Sequence, residues 1–289
     1  MDFEVEPAED RLRLDKVLAH RMPQLSRSFL QSLCKKQLVL VNGQAQKSGY
    51  MLRWKDTVSI QYDITTIGEV PAISLPVIYE DDDVIVIDKP SGVLSHALTK
   101  FKQEPSVASF LRSRLASKHP KDDIRFGMVH RLDRLTSGVM ICAKHPGAMS
   151  MLQKQFAERS VKKTYHAIVS GTPEPQQAVI DVPLERNPRR PATFRPGSNG
   201  KPAQTYYSVI GSSAQWAYIE LVPKTGRTHQ LRVHMQHIKH PIRGDNLYGG
   251  VEADRLYLHA ASVAVTLPNG QQRTFQAPTP TSFQDAIQS

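Results

Sequence analysis

Between residues 61 and 76 the chain reads QYDITTIGEVPAISLP, with prolines at 71 and 76 and no hydrophobic period of helical or strand type. A regular element does not run easily through such a stretch. The sequence on either side must therefore build its own core, and the expected division is residues 1–62, a linker at 63–76, and residues 77–289. Hydrophobic residues make up 40% of the 289-residue chain and charged residues 22%, enough for packed cores and unlike a disordered or low-complexity chain. No run approaches the roughly 18–20 apolar residues of a membrane helix. The opening MDFEVEPAED lacks the basic and apolar regions of a secretory signal. Cys34 and Cys142 cannot make a disulfide framework and have no metal-type spacing. They are expected to be small buried hydrophobes in a reduced, cytoplasmic protein.

The charge balance is 37 Lys+Arg against 27 Asp+Glu, a net +10. Such a surface favours polyanionic partners, and with no basic amphipathic helix in view, nucleic acid comes ahead of membrane. Much of the charge falls in the first block, at Arg11, Arg13, Lys16, Arg21, Arg27, Lys35 and Lys36. There Leu14, Val17 and Leu18 share one helix face, and Phe29, Leu30 and Leu33 share another, with Pro23 between them. Ser26 is placed to cap the second helix. The run LVLVNGQAQ then predicts a hairpin turning at Asn42–Gly43, a dipeptide that supplies the positive φ values of a tight turn. Read alone, these residues serve an RNA-binding face and a solvated helix surface equally well.

After the linker, Val84–Ile87 reads as a buried strand closed by the turn Asp88-Lys89-Pro90-Ser91-Gly92. Further strands are expected at Gly138–Ala143, Tyr165–Val169, Tyr206–Ile210, Ala217–Val222 and Leu256–Val265. Helices are expected near Val107–Leu115, Ala148–Phe156 and Gln230–Ile238. Strands outnumber helices without alternating with them, which points to α+β. Polar chemistry concentrates in three segments: VHRLDRLTSGVMICAKH (129–145), KKTYHAIV (162–169) and KTGRTHQLRVHMQHIKH (224–240). In the first, the Thr136–Ser137 hydroxyls are expected to hold Asp133 in a turn. In the third, a helix is expected to carry Arg227, His229, Arg232, His234, His237 and His240. The four histidines have no accompanying carboxylate pattern, so phosphate contact or packing is favoured over metal. No phosphate-cradling glycine motif supports a nucleotide cofactor.

Two resemblances follow from these residues. Arg13-Leu14-Asp15-Lys16, Ser26-Arg27-Ser28 and Val39–Gly43 resemble the small α-L RNA-binding domain first seen in a small-subunit ribosomal protein, the S-four type, although Gln37 stands where that family often has glycine. From about Pro76 to Thr266 the chain resembles the RluA-type RNA pseudouridine synthases, most specifically in His130-Arg131-Leu132-Asp133 with Thr136-Ser137-Gly138, in Lys163-Thr164-Tyr165, and in Thr225 through His234. It also has Ile87–Gly92, Gly200–Ala203, and Gly244-Asp245 with Tyr248-Gly249-Gly250. It departs from that family at Asp88, where asparagine is frequent, and at Leu135, where a polar residue is.

The resemblance implies a small α-L domain followed by a catalytic domain built on a mixed, largely antiparallel sheet flanked by helices. It implies a uridine isomerase needing no metal, nucleotide or other cofactor. Its partner would be RNA, ribosomal by preference and tRNA as the alternative, with no membrane contact and the protein a monomer. Asp133 would be the essential carboxylate, attacking C1′ or acting through ribose proton removal. Arg232 would be its charge partner. Tyr165 would stack on the uracil, and Leu231 would pack beneath it. Arg131 would fill the space left by an extruded base or make an ion pair. His130, Lys89, Arg227, Lys201 and Arg27 would contact substrate or RNA, with Arg189, Arg190 and Arg195 on phosphates. Ordinary glycoside hydrolysis uses two carboxylates, and the motifs contain one. That disfavours a base-releasing glycosylase but leaves open an RNA-binding assembly factor without catalysis.

Overall fold

The computed structural model describes residues 2–23, 25, 27–62, 73–96, 104–115 and 127–288. The chain divides into two compact units. In the first, β1 (Asp2–Glu4), α1 (Leu14–Arg21), α2 (Arg27–Lys35), β2 (Val39–Val41), β3 (Gln44–Ala45) and β4 (Thr57–Ile60) form an antiparallel sheet of order β1-β4-β2-β3 with the helix pair. Leu14, Val17 and Leu18 of α1 and Leu30, Leu33 and Cys34 of α2 meet Val39, Val41 and Val58 in one core. The predicted hairpin is present, with φ of 50° at Asn42 and 77° at Gly43. Ser26, the expected cap of α2, lies outside the described residues.

Gln37 adopts φ 60° in place of a glycine. The Gln37 and Leu38 amides close α2 onto the Cys34 and Leu33 carbonyls at 3.0 Å each, a helix stop that needs a left-handed residue. Arg159 and Lys239 end two later helices in the same pattern, with φ of 61° and 68°.

The second unit contains β5 (Val77–Glu80), β6 (Val84–Lys89), α3 (Val107–Leu115), β7 (Ser137–Ala143), α4 (Pro146–Ala157), β8 (Lys162–Ser170), β9 (Gln177–Asp181), β10 (Leu184–Arg186), β11 (Phe194–Pro196), β12 (Gln204–Ser212), β13 (Trp216–Pro223), α5 (Gln230–His237), β14 (Leu258–Thr266), β15 (Gln272–Gln276) and α6 (Ser282–Gln288). Its nine-stranded sheet runs β5-β6-β7-β14-β8-β13-β12-β9, with β15 on β14; β10 and β11 form a separate hairpin. The β7–β14 pairing is parallel and its neighbours are antiparallel, so the sheet is mixed.

All seven residues of β7 are buried, which explains its apolar run from Gly138 to Ala143. Gly138 is required where β7 meets β14. Its φ is 114°, and a Cβ there would lie 2.2 Å from the Ala260 carbonyl oxygen. Residues 63–72 of the expected linker lie outside the described residues, while Leu75 is buried in the second unit's core.

Candidate active site

Asp133 sits on a loop that enters β7, and two buried groups from the β6 side fix that loop. The Ser95 hydroxyl donates to the Leu132 carbonyl (2.6 Å) and accepts from the Leu132 amide (3.0 Å). Lys89, with no exposed surface, donates to the carbonyls of Pro90 and Val93 at 2.9 Å and of Arg134 at 3.2 Å. Burial pushes its ammonium down toward about 7, and the charge on Asp133 pulls it back up. The expected substrate contact by Lys89 is therefore corrected. The turn Lys89–Gly92 is a clamp on the Asp133 loop, reinforced by Ser91 donating to the Leu135 carbonyl at 2.7 Å.

His130 is corrected in the same way. Its Nε2 accepts from the Ile141 amide at 3.1 Å and its ring stacks on Phe156 at 4.6 Å. Burial holds it neutral, down to about 3. It anchors β7 and does not face the cleft. Nor do the hydroxyls of Thr136 and Ser137 hold Asp133. The bond that closes the turn is from the Thr136 amide to the Asp133 carbonyl (3.1 Å), and Ser137 Oγ bonds His259 Nδ1 (2.9 Å) and Arg255 (2.5 Å).

Arg232 arrives from α5. Gln230, buried at its start, accepts from the Thr225 hydroxyl (2.6 Å) and the Arg227 amide (3.0 Å), and donates to the Gln204 carbonyl (3.0 Å) and the Thr205 hydroxyl (2.9 Å). These bonds fix the turn T-G-R-T-H against β12. Only His234 and His237 of the expected histidines lie on α5, because the helix begins at Gln230 and ends at His237. Arg227, His229 and His240 flank it.

The histidines are dispersed: His229 bonds Tyr248, His234 bonds Thr205 and the Val182 carbonyl, and His240 bonds the Ser170 carbonyl. Among the described residues no group of three or more His, Cys, Asp or Glu side chains converges as metal ligands would.

The Arg232 guanidinium forks onto Asp245, with Nε and Nη2 each 2.7 Å from a carboxylate oxygen. Its remaining Nη1 points at Asp133 Oδ2 from 3.9 Å, and His229 Nε2 lies 4.0 Å from the same oxygen. Arg232 is thus a partner of Asp133, but its strong bond is to Asp245. Asp245 was visible only as part of Gly244-Asp245. Gly244 at φ 78° and Gly250 pack so closely that a Cβ would fall 1.8 Å and 2.0 Å from the Arg255 and Ile242 carbonyls.

Asp133, Tyr165, Leu231, Arg232, Arg131 and Arg227 line one cleft that opens to solvent, and among the described residues Asp133 is its one acidic lining residue. Tyr165 and Lys163 alternate onto the cleft side of β8. Burial, and then the Asp133 charge, raise the Tyr165 phenol well above its usual range, so it is protonated at neutral pH. Burial lowers the Lys163 ammonium. Of the basic residues expected on phosphates, Arg189, Arg190 and Lys201 are exposed, and the Lys201 backbone bonds Leu184 in both directions. Arg195 is paired with Glu185 at 2.8 Å. Arg27, in the first unit, places Nε and Nη2 on Asp15 at 3.2 and 3.0 Å. No described helix is long and apolar enough to cross a membrane.

Comparison with known proteins gives the family. The family described as RNA pseudouridylate synthase matches residues 83–237, and the S4 domain matches residues 12–58. A ribosomal large subunit pseudouridine synthase C of Vibrio parahaemolyticus is 33% identical, covering 90% of this chain and 86% of that protein. The dual-specificity RNA pseudouridine synthase RluA of Escherichia coli K12 is 41% identical over 71% of this chain and 93% of its own. The solved structure of human RNA pseudouridylate synthase domain containing 1 superposes with a TM-score of 0.61 at 28% identity, covering 73% of this chain and 86% of that one. With the family match spanning more than half its length and an S4 domain ahead of it, this chain belongs to the RNA pseudouridine synthases, isomerases that act on RNA.

Proposed function

We propose that this protein isomerises uridines of large-subunit ribosomal RNA, with Asp133 as the reacting carboxylate. The observation that carries the assignment of Asp133 is its isolation. Among the described residues it is the one acid lining the cleft, and Asp245, the other carboxylate that Arg232 faces, is 1% exposed and paired with that guanidinium at 2.7 Å. Ordinary glycoside hydrolases use a second carboxylate for water or leaving group. An isomerase that keeps its base needs one group at the sugar and a cleft that retains the uracil. Asp133 serves either by attacking C1′ or by removing a ribose proton. Tyr165, held as a phenol, stacks on the base, and Leu231 packs beneath it. A stacked uridine cannot reach Asp133, so the base is extruded, and Arg131 at the cleft rim fills the gap. Arg227, Lys201, Arg189 and Arg190 meet phosphates.

The ribosomal target rests on a relative named for the large ribosomal subunit that covers 90% of the chain. The reaction conserves every atom and is redox-neutral, so it calls for neither nucleotide nor metal. On this reading the protein acts as a cytoplasmic monomer, with Arg27 and the first unit's basic surface adding RNA affinity.

The test is incubation with unmodified ribosomal RNA and, separately, tRNA, followed by chemical mapping of pseudouridine. Wild type should modify ribosomal RNA, and Asp133→Asn should bind it without modifying it. Modification confined to tRNA overturns the target. Tight binding with no product in either RNA makes the protein an assembly factor, and free uracil makes it a glycosylase. Log affinity should fall linearly with log salt.

A further inference from the structure

His229 closes the turn before α5 in a left-handed conformation, φ 56° and ψ 18°, that residues other than glycine and asparagine seldom adopt. The strain delivers its ring into the cleft between Asp133 and Tyr248. The Tyr248 hydroxyl, on a ring 3% exposed, has two partners: the Phe194 amide donates to it at 2.9 Å, and His229 Nδ1 lies 2.8 Å away.

A hydroxyl carries one proton. Phe194 can only donate, so it occupies an oxygen lone pair. Among the described residues the Tyr248 proton then has one acceptor within reach, His229 Nδ1. Were Nδ1 protonated instead, the phenol O–H would be left buried without an acceptor, which is expensive. His229 is therefore the tautomer with its proton on Nε2, and Nε2 is the nitrogen that faces Asp133 Oδ2. Burial keeps the ring neutral, which preserves this arrangement at neutral pH. Phe194 belongs to β11, in the hairpin whose turn exposes Arg189 and Arg190, and its ring meets the His229 ring edge-on at 5.8 Å.

We infer that His229 is a positioning residue for Asp133, presenting an Nε2–H to the carboxylate, and that the Tyr248 hydroxyl, anchored by the Phe194 amide of the β10–β11 hairpin, locks that proton in place. Asp133 Oδ2 then lies between two N–H groups, on Arg232 and His229, each about 1 Å beyond hydrogen-bond length. A small closure on substrate would engage both and hold the carboxylate aimed at the sugar. The inference rests on Asp133 being the reacting group.

The experiment compares wild type, His229→Ala, His229→Gln, Tyr248→Phe and Asp133→Asn on one RNA substrate, measuring RNA affinity and the single-turnover rate of pseudouridine formation separately. His229→Ala should slow the bound-state rate about 10- to 100-fold, as loss of an orienting partner does, with affinity within about twofold. His229→Gln, which can still direct an amide N–H at Asp133, should recover part of the rate. Nitrogen-15 spectra of histidine-labelled protein should show Nε2–H at His229 in wild type and a mixture of tautomers in Tyr248→Phe, which should itself be slowed about tenfold. A wild-type rate in His229→Ala beside an inactive Asp133→Asn overturns this inference alone. So does a defect confined to affinity, or an Nδ1–H tautomer in wild type. Full activity in Asp133→Asn overturns the site assignment beneath it.

Discussion

Asp15 in the first unit and Asp133 in the second each face two nitrogen-bearing side chains, and the two are handled in opposite ways. Asp15 has no exposed side-chain surface. It accepts from Arg13 Nε at 3.1 Å, Arg27 Nε and Nη2 at 3.2 and 3.0 Å, and Gln31 at 2.7 Å. Burial alone would raise its pKa, but the hydrogen bonds from Arg13, Gln31 and Arg27 hold it well below the usual carboxylate range. Asp133 is 19% exposed and faces the Arg232 guanidinium at 3.9 Å and the neutral His229 ring at 4.0 Å. The arginine that faces it is fastened elsewhere, 2.7 Å from Asp245. A carboxylate whose lone pairs are filled is inert and builds structure. One that is surrounded by donors it does not yet touch can still accept a substrate. Asp245 makes the second state possible, because it stops Arg232 from collapsing onto Asp133.

The largest expected effect tests that contrast directly. Asp133→Asn should slow pseudouridine formation by at least about a thousandfold and leave the unfolding free energy within about 0.5 kcal/mol, as for a substitution that removes no packed contact. Single-turnover assays and denaturant titration measure the two. A large loss of stability would place Asp133 in the same class as Asp15 and break the comparison. Asp245→Asn should follow at about a hundredfold in the same assay. Its amide cannot accept the bidentate fork on both atoms, so Arg232 is freed to bond Asp133 directly.

How much of this contrast was legible in the sequence depended on whether the signal was local. The hairpin at Asn42–Gly43, the strand through β7 and the helices over Val107–Leu115 and Gln230–His237 follow from turn chemistry and apolar period. Asp133, Tyr165 and Arg232 stand in motifs dense enough to be picked out, and the structure gathers them in one cleft. What was missed is pairing across distance. Asp245 is 13 residues from Arg232, and although Gly244-Asp245 stood among the matching residues, nothing local paired it with that arginine. His229 was read as one more residue of a helix, when its left-handed backbone puts it at the helix start and turns its ring toward Tyr248. Lys89 and His130 were read as substrate contacts because they are polar and lie in motifs, yet Lys89 is a buried support and His130 a half-buried one, each bonded to main-chain groups.

Asp15→Asn should destabilise the protein by about 2–3 kcal/mol in denaturant unfolding, because two arginines lose the charge they surround. Acid titration separates the two units further. His130 and His259 are neutral in the fold, pushed by burial to about 3 and about 4 from 6.5. Their stabilisation is complete above pH 6.5 and is lost as pH falls from 6.5 through those values, since the unfolded chain binds the protons first. Asp15, lowered from 3.8, contributes fully above that value and loses its contribution only as pH falls below it. The second unit should therefore begin to lose stability near pH 6.5 and the first near pH 4. Amide exchange resolved by segment would read the order, and simultaneous loss in both would contradict it.

The smallest effect concerns Arg27, whose side chain is 48% exposed while it bonds Asp15. With Arg13 and Gln31 still in place, Arg27→Ala should cost only about 0.5–1 kcal/mol, the scale of a half-exposed ion pair. The same guanidinium, if it also reaches a phosphate, releases a counterion on binding. Its removal should then lower the slope of log affinity against log salt by about 0.7–0.9. The two readouts are independent. A slope unchanged beside the stability loss would make Arg27 a structural arginine of the Asp15 cluster and nothing more. A shallower slope would show that a saturated carboxylate can leave its cation available to RNA.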